Sequence, residues 1–137
     1  ARRLLDATLK TDPRCISARL LRARCADLEG NASAARADLD AAFATAPSLG
    51  EVNDRREAAQ LRETGEAEFI AARPREALDC FVQALRLDPE DPLLHNNVGV
   101  VLASMNAFEQ ARESIQRALR LAPSWPDAQD NLKALGR

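Results

Sequence analysis

The sequence predicts an all-α fold made of repeated helix pairs, and three observations carry that expectation. Ala, Leu, Arg, Asp and Glu dominate the composition, aromatics are 4%, and β-branched residues are too few to furnish a sheet. Pro13, Pro47, Pro89 and Pro123 close four similar phrases, LKTDP, FATAP, LRLDP and LRLAP, at spacings of 34, 42 and 34 residues. Ahead of each proline the same residue types recur in phase, at distances that put them on one helix face.

Those recurrences define the elements. Twelve residues before the prolines stand Ala1, Ala35, Ala77 and Ala111, and five before them stand Thr8, Ala42, Ala84 and Ala118. Between these small residues, eight before the prolines, sit the large Leu5, Leu39, Phe81 and Ile115. Farther back, Ala23, Gly65 and Gly99 share one place, 24 residues ahead of the proline. Small residues let two helix axes approach and the large residue fills the gap, so each unit reads as an A helix followed by a B helix. The closing proline ends helix B and turns the chain.

In chain order the expected helices are 1–11, 15–29, 32–45, 51–72, 74–87, 91–105, 108–121 and 125–135. Pro74, Pro92 and Pro126 stand at helix starts, where proline is favoured, and Gly30 supplies a turn between the helices of the first full unit. This divides the chain into a lone B helix (1–13), a first repeat (14–49), a second (58–91), a third (92–125) and a capping or continuing helix (126–137). The eight residues in excess of the repeat period fall at 50–57, GEVNDRRE, and read as a helical extension of the next A helix. Glu51 and Arg55 make a helical pair there, and a lateral docking spur is the alternative use of the segment. The first helix carries Leu4 and Leu5 with no preceding A helix to cover them, which predicts homo-oligomerisation through that end, or poor order there. The chain opens at Ala1, inside a predicted helix and without an initiator Met, and reads as a piece of a longer or matured protein.

This frame resembles the tetratricopeptide repeat family over essentially the whole chain, most closely at PLLHNNVGVVLASMNAFEQARESIQRALRLAPSW, residues 92–125. The resemblance implies a right-handed α-α superhelix of about three helix pairs with a partial unit at each end. Arg19 and Arg22 depart from it, standing where the family prefers large apolar residues, and Leu20, Leu21 and Leu28 are expected to compensate through a small rotation of that helix. The resemblance also implies a concave groove lined by A helices. Carried over residue by residue, it assigns partner binding to Arg24, Arg62, Glu66, Phe69, Asn96, Asn97, Val100, Asp130 and Asn131. Asn97 and Asn131 share one register, and a side-chain amide can both donate to and accept from an extended backbone. The pair is similar to the asparagine ladder of O-linked N-acetylglucosamine transferase repeats, broken here by Leu21 and Glu63. The plainer account is that both are solvated helix-surface residues. A chaperone-type carboxylate clamp does not fit, because Leu20, Arg24, Glu63, Leu93 and Asn97 at the matching positions lack two of its basic residues and admit an acid.

Chemistry is not indicated. His95 is the only histidine, in a place where packing is expected, and no phosphate-binding, zinc or calcium motif occurs, so neither cofactor nor metal is predicted. Cys15, Cys25 and Cys80 are an odd set without metal spacing and read as buried fillers whose free thiols fit a reducing, cytoplasmic compartment. The net charge of −2 with interleaved signs gives no basic stripe for nucleic acid, and no apolar run is long enough to span a membrane. The expected function is a scaffold, without catalytic activity, that binds a protein or peptide partner in the groove. Self-assembly is one alternative, and a substrate-recruiting repeat region of a larger enzyme is another.

Overall fold

The computed structural model describes residues 2–136, and among them all regular structure is helical. The helices are α1 (Arg2–Thr11), α2 (Ile16–Leu28), α3 (Ala32–Thr45), α4 (Gly50–Ile70), α5 (Pro74–Leu87), α6 (Pro92–Ser104), α7 (Phe108–Leu121) and α8 (Pro126–Leu135). Their ends lie within two residues of the expected ones. The landmark Ala1 lies outside the described residues. The chain forms two compact units, residues 1–56 and 57–137, with the boundary inside α4.

The same turn chemistry joins the two helices of each pair. Gly30, Ala72 and Asn106 each take a left-handed conformation, with φ of 78°, 61° and 64°. In each case the following amide closes back onto the last helical turn: Asn31 on the Ala26 carbonyl, Arg73 on Glu68 and Ala107 on Leu102, at 2.8–2.9 Å. This double closure satisfies carbonyls that a helix end leaves without partners. All three residues stand 17 before the closing proline.

A second recurrent device lies at each of the four closing prolines. Its carbonyl accepts a hydrogen bond from the side chain six residues on: Arg19 to Pro13, Asn53 to Pro47, His95 to Pro89 and Gln129 to Pro123, at 2.7–3.0 Å. Four different side chains perform one task, which is to occupy the carbonyl where the chain turns into the next A helix.

In residues 1–56 the core consists of Leu9, Ala18, Leu20, Ala23, Ala26, Ala35, Leu39, Ala42 and Val52. Arg19 and Arg22, expected to be tolerated by rotation of their helix, are instead built into an ionic network. Asp38 on α3 is buried, and Arg22 grips it with two hydrogen bonds of 2.7 and 2.8 Å while reaching Asp6 on α1 at 2.9 Å. Arg19 adds a contact to Asp38 at 3.3 Å. The carboxylates raise the Arg22 pKa above its ordinary value, through the hydrogen bonds to Asp38 first and Asp6 second. Leu21, one of the proposed compensators, is exposed, whereas Leu20 is buried. The segment 50–56 is helical and tied to this unit. Val52 is fully buried, Arg55 donates to the Leu20 carbonyl at 3.1 Å, and Arg56 meets Asp40 and lies 4.0 Å from the centroid of the Phe43 ring. Those contacts tie the helical segment to its neighbours in this unit.

In residues 57–137, Ala58, Ala77, Phe81, Ala84, Leu94, Val98 and Val101 form one buried cluster. Ala111, Ile115, Ala118, Trp125 and Ala128 are buried farther along the chain. A Cβ added at Gly65 would lie 2.6 Å from the Phe81 ring, and one added at Gly99 would lie 2.5 Å from Ile115 Cγ1 and 3.0 Å from the Ala111 carbonyl oxygen. The in-phase glycines are therefore where an A helix takes the large residue of its own B helix directly against its backbone.

Candidate functional site

The residues that converge lie in the 57–137 unit, where α4, α5 and α6 surround a cavity of about 300 Å³ lined by Glu66, Phe69, Ile70, Phe81, Asn97, Val100 and Val101. The repeat frame explains its position. Phe81 and Val101 belong to the core and form its floor, while Phe69, Ile70 and Val100 lie on the outer faces of consecutive A helices. Ile70 is 86% exposed, an unusual state for so large an apolar side chain at the mouth of a cavity.

The polar edge is a connected set. Asn97 Nδ2 donates to Glu66 Oε1 at 3.1 Å. Because a carboxylate only accepts, this bond fixes the amide orientation and turns Asn97 Oδ1 the other way. Arg62 Nε lies 3.7 Å from Glu66 Oε1, and Arg62 NH1 donates to Asp91 Oδ2 at 3.3 Å. The Arg62 and Asp91 side chains are 7% and 4% exposed, against 45% for Glu66. Asp91 also caps α6 by accepting from the Leu93 amide at 3.0 Å. A charge as buried as that of Asp91 needs a partner, so Arg62 neutralises it and braces α4 against the start of α6.

Of the nine residues assigned to partner binding, Glu66, Phe69, Asn97 and Val100 line the cavity. Arg62 and Asn96 are buried, each 6% exposed. Each lies one helical turn ahead of a cavity residue, Arg62 four before Glu66 and Asn96 four before Val100. Asn96 Oδ1 accepts from Asn131 Nδ2 at 3.1 Å. Both rungs of the asparagine pair thus commit one N–H to the preceding A helix, which leaves each a second N–H and an acceptor oxygen. Asp130 is exposed on α8, and Arg24 is half-buried on α2 in the other unit. Ile70, Phe81 and Val101 complete the cavity. The repeat register contained the signal for Phe81, since the landmark that names it as a core filler also places its ring beneath the groove.

The surroundings of the reactive residue types are structural. His95 Nε2 is engaged with the Pro89 carbonyl at 2.8 Å, the same bond that Arg19, Asn53 and Gln129 make elsewhere. Burial raises the pKa of the Cys80 thiol, and the charges of Glu68 and Asp79 raise it further, which disfavours the thiolate. Among the described residues no group of His, Cys, Asp and Glu is placed to hold a metal ion, and no helix is long and apolar enough to cross a membrane.

Comparison with known proteins is consistent with this geometry. Residues 1–50 and 63–127 match the tetratricopeptide repeat family model. The peroxisomal targeting signal receptor of Saccharomyces cerevisiae is 46% identical over 55 residues, 40% of this chain and 9% of that protein. The Hsp70-Hsp90 organising protein of Plasmodium falciparum is 32% identical over 73 residues, 53% of this chain and 29% of that protein. The chain thus spans only a small part of the length of these relatives. Among solved structures, MamA superposes with a TM-score of 0.53 at 19% identity, covering 98% of this chain and 74% of that one. Pseudomonas aeruginosa pilF gives 0.51 at 24% identity, covering 96% and 56%. At such identities the likeness concerns the fold alone.

Proposed function

Because the chain belongs to the tetratricopeptide repeat family, we propose that it is a non-catalytic scaffold that binds a segment of a partner protein along the outer faces of its A helices. One observation carries this reading. The cavity of about 300 Å³ has an apolar interior, a polar edge made by Glu66 and Asn97, and an exposed Ile70 at its mouth. Apolar walls with a few placed polar groups are the usual make-up of a binding pocket. The residue assignments from the repeat register support the same surface, since four of them line it.

The test is site-specific photocrosslinking in cells, with the photoreactive residue placed at Ile70 or, as a control, at the exposed Val82 of α5. The expected outcome is a discrete partner adduct from position 70 and none from position 82. Adducts from position 82 alone would remove the groove from consideration. A second reading, association between copies through α1, is favoured by Leu4, which is 72% exposed.

A further inference from the structure

We propose that the cavity between α4 and α6 takes a large apolar side chain from an internal, extended partner segment, and that Glu66 selects a Lys or Arg close to that side chain in sequence. This rests on the groove reading and specifies the chemistry of its occupant.

Charge supplies the first part of the case. Among the described residues no basic one lines the cavity, whereas Glu66 does, with nearly half of its side chain exposed. The guanidinium of Arg62 beside it is buried and shared with Asp91, so these three groups together carry one positive and two negative charges. The imbalance extends beyond the cavity: residues 57–137 contain 13 acids and nine bases, against eight acids and ten bases in residues 1–56. On the A helices of the 57–137 unit, Asp127 and Asp130 of α8 are exposed as well. A cationic segment therefore gains at this surface, and a carboxylate set into the cavity would meet Glu66 with no cation to receive it.

Hydrogen bonding supplies the second part. Asn97 gives one N–H to Glu66, and that bond turns its acceptor oxygen away from the carboxylate, where a partner can reach it. An amide N–H in an extended segment can meet that oxygen, whereas the amides of an α-helix beyond its first turn are already bonded. The apolar walls, Phe69, Ile70 and Val100 above the Phe81 floor, then suit a side chain of leucine size or larger.

The experiment begins with display of random dodecapeptides as internal segments of a carrier protein, selected on the intact chain and counter-selected on Val100→Asp. The winning peptide is then made amidated, with its Lys or Arg changed to Glu, and truncated to end in a free carboxylate at the apolar residue. Enriched peptides are expected to hold a large apolar residue with Lys or Arg within two positions. Exchange of the basic residue for Glu should weaken binding by roughly fivefold or more, and the free carboxylate should weaken it similarly. Glu66→Gln keeps an oxygen for Asn97, and it should erase most of that discrimination while retaining the amidated peptide. Enrichment of acidic peptides, or a gain from the free carboxylate, would overturn the charge assignment and leave the groove standing. No enrichment over Val100→Asp would defeat the groove reading itself.

Discussion

Gly65 and Ala23 stand at the same place in their repeats, yet only the glycine is pressed by an aromatic ring. Opposite Ala23 the large residue of the register is Leu39, and both are buried. A methyl and a leucine thus do in one pair what a bare backbone and a phenylalanine do in the next. Gly65→Ala would gain about 1 kcal/mol of helix propensity and lose about 1–3 kcal/mol to overpacking against the ring. A net loss in the urea midpoint is expected. In a Phe81→Leu background the same substitution should become neutral or stabilising, a coupling that a double-mutant cycle reads directly. Ala72 makes the opposite case, holding φ at 61° where glycine would be unstrained. Ala72→Gly is expected to raise stability by about 1 kcal/mol in the same assay. Only Gly30 of the three left-handed residues was legible in the sequence, because it alone is a glycine. The common offset of 17 residues to the proline was there to be read, but alanine carries no compositional mark of a left-handed turn. The Arg19–Arg22–Asp38 network was missed for a related reason: each residue alone looks like a departure from the repeat, and only their mutual distances make them a set.

At the scale of elements, the prolines made the helix limits readable to within two residues, because each fixes both the end of one helix and the place where the next begins. They did not reveal the bond from each proline carbonyl to the side chain six residues on, since Arg, Asn, His and Gln share no obvious pattern. That bond decides what His95 is for. His95→Ala should cost about 0.5–1 kcal/mol in a chemical-denaturation series, the ordinary loss for one hydrogen bond, and His95→Gln should retain most of it because Gln129 already plays that part. Partner binding should be unchanged by either. The candidate site was half legible for a geometric reason. The repeat register identifies the A helices, but neighbouring positions such as Asn96 and Asn97 point about 100° apart, so one is buried between helices while the other reaches the cavity.

For the molecule as a whole, the ranges 1–56 and 57–137 each have a core of their own, and the exposed Leu4 belongs to the first. If α1 mediates association between copies, light scattering behind size exclusion should show a mass that rises with concentration, and Leu4→Glu should return it to that of the single chain. A concentration-independent monomer before substitution would retire that reading and leave the cavity as the chief contact surface. Trp125 has a different bearing at this scale. It is the only tryptophan, there is no tyrosine, and it lies buried at the start of α8. Selectively excited indole emission therefore reports on one end of the chain and is silent about the other. A loss of helical ellipticity that precedes the red shift of that emission would identify residues 1–56 as the part that melts first. Simultaneous changes would indicate that the two ranges melt together.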